Sequence, residues 1–384
     1  MAYISVLKLI LSVYCFFTLF ILCSTAPELC NFPAIFNFGD SNSDTGGFSA
    51  ALFSLPPPYG QTFFHMPAGR YSDGRLIIDF IAESLNLPHL QAYLDSLESN
   101  FTHGANFATS ASTIRLPNRV LPCGSGFSPF YLNVQYGQFH QFKSRADFIR
   151  TRGDIFGSLL PREEDYLRAL YTFDIGQNDL GEGFFRNKTI KQVYASIPDI
   201  INQFTVDVTN IYWVGARSFW IHNTGPVGCL PYILTTFKTA GKDSAGCAKA
   251  YNEVAKYFNL KLKEAIGQLR KELPSSAFTY VDVYSVKYSL FTHPKKYGFE
   301  LPLVACCGYG GKYNYNNEVT CGYTLKMKNG SEIVVGACEK PWKRVNWDGI
   351  HYTEAANKFV FNKISTGAFS DPPRPLKQSC FNPS

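Results

Sequence analysis

The chain has 384 residues, 46% of them hydrophobic and 16% aromatic, which supplies a large core and excludes an intrinsically disordered protein. Its formal charge is +6, from 36 Lys and Arg against 30 Asp and Glu spread along the sequence. There is no dense basic cluster of the kind nucleic-acid binding requires, so no nucleic-acid partner is expected.

Taken in chain order, the first feature is an apolar run over residues 9–23, behind one early positive charge at Lys8 and ahead of Ser24-Thr25-Ala26. This pattern predicts a secretory signal peptide over residues 1–26, the end being approximate. The run is shorter than the roughly 20 residues of a spanning helix, so no stable membrane anchor is expected. The remainder, residues 27–384, is expected to form one domain in an extracellular or cell-wall location.

Eleven cysteines are present, two of them, Cys15 and Cys23, in the leader. Export to an oxidising compartment favours disulfides among the rest. An odd number leaves a free thiol or an intermolecular bond. Cys229 with Cys247 can close a local loop, the 306–338 group can pair internally, and Cys30 with Cys380 would tie the ends together. Asn100, Asn187 and Asn329 each begin an Asn-x-Ser/Thr triplet and are expected glycosylation sites.

Residues 33–36, Pro-Ala-Ile-Phe, read as a short buried strand. Small polar residues and two glycines follow, from Asp40 to Gly47. A serine where a strand turns towards a helix exposes its hydroxyl at the carboxyl end of a sheet, where ligands bind. Ser41 is therefore a candidate nucleophile; the alternative is an ordinary polar turn with a helix N-cap. Residues 55–60, rich in Pro, predict a rigid loop near the site. Residues 76–85 have helical spacing, halted before Pro88.

Two later turns offer amide donors. Gly104 supplies a backbone N–H where the chain can approach a ligand closely. Asn178 supplies a carboxamide just beyond the strand predicted at 171–175. Both can equally be plain turns. A further strand is predicted at 218–222, an amphipathic helix at 250–273 with Val254, Phe258, Leu262, Ile266, Leu269 and Leu273 on one face, and a strand at 277–283. Strands alternating with helices predict a parallel sheet covered on both sides. Residues 292–338 are rich in Gly, Tyr, Asn and Cys and predict an irregular, disulfide-pinned excursion; the tail after Asp371 is Pro-rich and extended.

Of seven histidines, His351 alone has a carboxylate at a compact local spacing, in Asp348-Gly349-Ile350-His351 ahead of a helix start at 352–356. Such a pair can supply a base and the group that orients it. The alternative is a capping aspartate beside a surface histidine. No Gly-x-Ser-x-Gly elbow, His-Glu-x-x-His or spaced Cys/His ligand set is present, so neither a metal nor a cofactor is expected.

In order, Phe38-Gly39-Asp40-Ser41, Gly104-Ala105-Asn106-Phe107-Ala108, Gly176-Gln177-Asn178-Asp179 and Asp348-Gly349-Ile350-His351 resemble the blocks of the GDSL esterase/lipase family, the SGNH hydrolases. Gly69-Arg70-Tyr71-Ser72-Asp73-Gly74-Arg75 and the stretch from Asn223 to Pro231 resemble its plant branch, in particular early-nodulin-like and acetylesterase-like members. The resemblance implies a flavodoxin-like three-layer α/β/α fold with a central parallel sheet. It implies Ser41 as nucleophile, His351 as base and Asp348 as its partner. The Ser41 and Gly104 N–H groups and the Asn178 amide would form an oxyanion hole. Ser110-Ala111-Ser112 departs from the family, where Gly-Ala or Ala-Gly is usual. The expected function is hydrolysis of short acyl esters, such as acetylated glycosides or wall polysaccharides. Acyl transfer by the same residues, a glycosidase and a non-catalytic secreted defence or binding protein are the alternatives.

Overall fold

The computed structural model describes residues 29–382, apart from 98, 123–125 and 154; the expected signal segment and Cys123 lie outside the described residues. Eight strands are present among these: β1 Ile35–Gly39, β2 Gly104–Asn106, β3 Leu170–Asp174, β4 Ser218–His222, β5 Ala277–Val281, β6 Thr324–Lys326, β7 Glu332–Val334 and β8 Ser370–Asp371. Six make one sheet in the order β2-β1-β3-β4-β5-β8. The first five are parallel, and β8 pairs antiparallel with β5. This is the flavodoxin-like strand order, with an antiparallel edge strand added. The site belongs at its switch point, where β2 and β3 leave β1 in opposite directions.

Every residue of β1 is buried, as a central parallel strand covered on both faces requires. Phe38 stacks between Phe107 and Phe173, with ring centroids at 5.3 and 5.1 Å. The buried Asn37 is satisfied by Asn106 and Thr172. Helices Leu132–Thr151, Ile190–Trp213 and Lys249–Glu272 pack against one another as one set, and helices Ile77–Ser84, Val283–Thr292 and Glu354–Ile364 as a second. Strands buried on both sides place one set on each face.

Helix Lys249–Glu272 buries Val254, Phe258, Leu262, Ile266 and Leu269, the face predicted from its periodicity. Each such side chain contributes about 1.5–3 kcal/mol. The strand read at 33–36 begins two residues later, because Pro33 has no N–H for the ladder. The strand read at 277–283 stops at Val281, because Asp282 caps the next helix through Ser285 N–H. Helix Leu132–Thr151 carried no clear signal: only five of its 20 residues are buried, one of them Gln135.

Disulfides join Cys30 to Cys380, Cys229 to Cys247, Cys306 to Cys338 and Cys307 to Cys321. The last two pin the irregular excursion, which also contains the β6–β7 hairpin. Among the described residues no helix is long and apolar enough to cross a membrane.

Candidate active site

Ser41 sits in the turn that leaves β1. The Asp40 carbonyl accepts from Ser43 N–H and Asp44 N–H and closes that turn, while Asp40 N–H reaches across to the Asp174 carbonyl of β3. Gly39 permits the closeness: a Cβ there would lie 2.4 Å from Ser43 Oγ and 2.6 Å from the Asp174 carbonyl. Asp44 accepts from the N–H groups of Gly46, Gly47 and Phe48, and from Ser110 N–H at 2.7 Å. That last bond ties the Ser41 turn to the 109–112 loop.

His351 and Asp348 come from a turn ahead of the helix, not from its first turn: Thr353 is the N-cap. Asp348 Oδ1 accepts from Ile350 N–H at 3.0 Å and His351 N–H at 2.9 Å. Gly349 has φ +96, and a Cβ on it would strike the Tyr315 ring at 2.3 Å. Its carbonyl accepts from Tyr232 N–H, so the stretch from Asn223 to Pro231 leads into a direct brace on this turn. The outcome is a chain of three side chains. His351 Nδ1 lies 2.7 Å from Asp348 Oδ2, and His351 Nε2 lies 2.8 Å from Ser41 Oγ, across 310 positions of sequence. All three are buried. Burial works against the charge on Asp348, but His351 and the surrounding donors outweigh it and hold the carboxyl below its ordinary range.

The two expected amide donors fare differently. Asn178 donates one amide hydrogen to the Ser112 carbonyl at 2.9 Å and retains a second. Gly104 is not at the site. It pairs with Ile35, at the amino end of β1, and its N–H is bonded to the Phe101 carbonyl. The 109–112 loop, in contrast, is tied to the Ser41 turn through the Ser110–Asp44 bond. Ala111 adopts φ +62, sparsely populated for a residue with a Cβ. It lies between Ser110, held by Asp44, and Ser112, held by Asn178. Neither the Ala111 nor the Ser41 N–H has a hydrogen-bond partner among the described residues.

A second Asp–His pair was not legible in the sequence. His222 Nδ1 lies 2.9 Å from Asp174 Oδ2, and Trp220 Nε1–H donates to His222 Nε2. Both ring nitrogens are engaged inside the core, so this pair has no free nitrogen for a substrate. Asn100, Asn187 and Asn329 are all exposed.

The buried acids predict a pH dependence of stability. Burial and the adjacent Asp174 push Asp40 up to about 7, and burial pushes Asp179 to about 7. Both values exceed the ordinary 3.8 of an unfolded chain. The stability they contribute is therefore complete below about pH 4 and lost as the pH rises towards 7. Asp79 and Asp348 are held below 3.8, so the stability they contribute is present throughout this range and is lost only as the pH falls below 3.8. The unfolding temperature should fall between pH 5 and 8; a rise over that range in a calorimetric series would refute the assignment.

A cleft of about 260 Å³ opens beside the pair, lined by Phe48, Phe53, Tyr71, Tyr315 and Tyr323 with Asp348 and His351. Comparison with known proteins adds to this geometry. A family model described as GDSL-like Lipase/Acylhydrolase matches residues 35–364. A protein named Esterase from Hevea brasiliensis is 63% identical over 365 residues, covering 94% of this chain and 93% of that one. The GDSL esterase/lipase ENOD8 of Medicago truncatula is 58% identical, covering 94% of each. A protein named Alpha-L-fucosidase 3 from Arabidopsis thaliana is 55% identical over 347 residues, covering 90% of this chain and 93% of that one.

Proposed function

The chain belongs to the GDSL-like lipase/acylhydrolase family, and on that premise we propose that it is a secreted serine carboxylic-ester hydrolase acting through Ser41, His351 and Asp348. The observation that carries this reading is the contact of Ser41 Oγ with His351 Nε2 at 2.8 Å, with Asp348 2.7 Å behind the imidazole.

Ser41 Oγ attacks the ester carbonyl carbon while His351 Nε2 takes its proton. Asp348 accepts from Nδ1–H, which fixes the tautomer and stabilises the imidazolium. The carbonyl oxygen, now negative, is met by the N–H groups of Ser41 and Ala111 and the second Asn178 hydrogen, Ala111 standing in the role expected of Gly104. Collapse expels the alcohol, protonated by His351. Water then attacks the acyl-enzyme and gives its proton to His351; the second intermediate collapses by breaking the bond to Ser41 Oγ, which takes that proton back from His351 as the acid leaves.

The small cleft supports a short acyl group, and its aromatic walls suit the apolar face of a sugar ring, as in an acetylated glycoside. Glycosidic cleavage uses two carboxylates flanking the bond; among the described residues Asp348 is the single carboxylate lining this cleft, and it is engaged with His351. Secretion is supported by the leader pattern, the four disulfides and the three exposed Asn-x-Ser/Thr sites, which are proposed to carry glycans.

A fluorophosphonate should label the intact protein at Ser41, located by peptide mass, and p-nitrophenyl esters should be cleaved faster with acetyl than with long acyl chains. Absence of label at Ser41 would sink the reading. Asn178→Ala should lower kcat by about 10²–10³ with little change in KM, the loss expected for one oxyanion donor.

A further inference from the structure

The Pro-rich loop ending at Tyr59 and Gly60 has a contact that the reaction above does not use. Tyr59 is buried, and its hydroxyl donates to Asp348 Oδ2 at 2.8 Å. The same oxygen faces His351 Nδ1, while Oδ1 takes the two backbone N–H groups of the 348–351 turn. Of these four donors Tyr59 alone comes from outside the turn. It is therefore the contact that registers the carboxylate against the rest of the fold.

The ring of Tyr59 is seated by the Cys-rich excursion. It belongs to a small second core with Cys306, Cys307, Val319, Cys321, Val335 and Trp347. The Trp347 ring stands edge-on to it at 6.0 Å. Cys306 N–H and Cys307 N–H donate to the carbonyls of Asn346 and Trp347, the two residues ahead of Asp348. Gly322, next to Cys321, lies so close to the loop that a Cβ would sit 2.5 Å from the Pro57 carbonyl. The excursion thus grips both the loop that carries Tyr59 and the segment that carries Asp348.

We propose that Tyr59 is a positioning residue for ester cleavage, its hydroxyl and the disulfide-pinned segment 306–338 together setting the orientation of the Asp348–His351 pair. The proposal rests on the triad reading above. Burial and then the charge of Asp348 push the Tyr59 hydroxyl well above its ordinary range, so it remains a donor throughout the working pH. The other titratable groups facing the pair are Tyr71, whose ring is 5.0 Å from that of His351, with Tyr315, Tyr323 and Asp40.

The test is Tyr59→Phe in the full chain, with unfolding monitored alongside. A charge-assisted hydrogen bond is lost while the ring is kept. We expect kcat to fall about ten- to a hundredfold, with KM within about twofold. The acid limb of the kcat/KM profile should move to higher pH, because the imidazolium then faces a carboxylate carrying fuller charge. Wild-type kcat with an unmoved limb overturns the proposal. So does a lower kcat with an unmoved limb, since packing alone would produce it. Cys307→Ser with Cys321→Ser leaves the hydroxyl in place and should move the limb in the same direction by less; an unmoved limb there overturns the part assigned to the excursion. Full hydrolysis by Ser41→Ala would instead strike the triad reading itself.

Discussion

Replacing Ser41 by Ala should lower kcat for ester hydrolysis by a factor on the order of 10⁴–10⁶ while leaving the protein folded. The change removes one hydroxyl whose partner is His351 Nε2, so the cost to stability should stay within about 1 kcal/mol. What survives is the contribution of the amide donors and of binding, roughly 10³-fold over water. The sharper form of the experiment is a cycle. If Ser41 and His351 act as one unit, Ser41→Ala with His351→Ala should be little slower than either alone. Independent, multiplying losses would mean that the two side chains touch without sharing a step. Wild-type rates from Ser41→Ala would mean that the hydrolysed bond is cut elsewhere.

How much of this was legible in the sequence depends on how local each signal is. Ser41, Asn178, Asp348 and His351 sit in short contiguous motifs, and the structure brings Ser41, Asp348 and His351 into contact. Asn178 reaches them through the Ser112 carbonyl and the 109–112 loop. Gly104 misled because a glycine before a polar turn looks like a close approach to a ligand. Only the register, with Gly104 opposite Ile35, shows that its close approach is to a neighbouring strand at the wrong end of β1. Ala111 was hidden for the opposite reason: alanine does not advertise a left-handed backbone. Its departure from the family pattern was visible, but its consequence was not. Tyr59 with Asp348 and His222 with Asp174 are 289 and 48 positions apart. Pairs of that kind exist only once the sheet order is known.

The stretch from Gly69 to Arg75 shows how a motif outside the reaction can still decide whether the site forms. Arg70 meets Asp79 bidentately, Nη2 to Oδ1 at 2.7 Å and Nε to Oδ2 at 2.9 Å, with side chains only 7% and 0% exposed. Its Nη1 donates to the Thr45 carbonyl in the segment after Ser41. Nearby, Asp73 accepts from Glu354 N–H and Ser72 Oγ donates to the Tyr352 carbonyl, just beyond His351. Arg70→Met keeps the stem and removes the charge, leaving Asp79 buried with Leu76 N–H as its remaining donor. Breaking one half of a buried pair costs about 3–5 kcal/mol. For a chain of this size that is a fall of about 4–7 °C in Tm. The pH dependence distinguishes this cause from lost packing. Burial opposes the charge on Asp79, but Arg70 outweighs it and holds the carboxyl below 3.8, so in the parent the pair's contribution is present above that pH and lost below it. Without Arg70 the same carboxyl takes up a proton at higher pH and escapes the penalty. The Tm gap between parent and variant should therefore be widest near pH 8 and close as the pH falls towards 4. Arg70→Met with Asp79→Leu, which removes both charges, should recover much of the loss. A gap that stays constant with pH, or a double variant no better than the single one, would show that Arg70 matters for its packing and not for its charge.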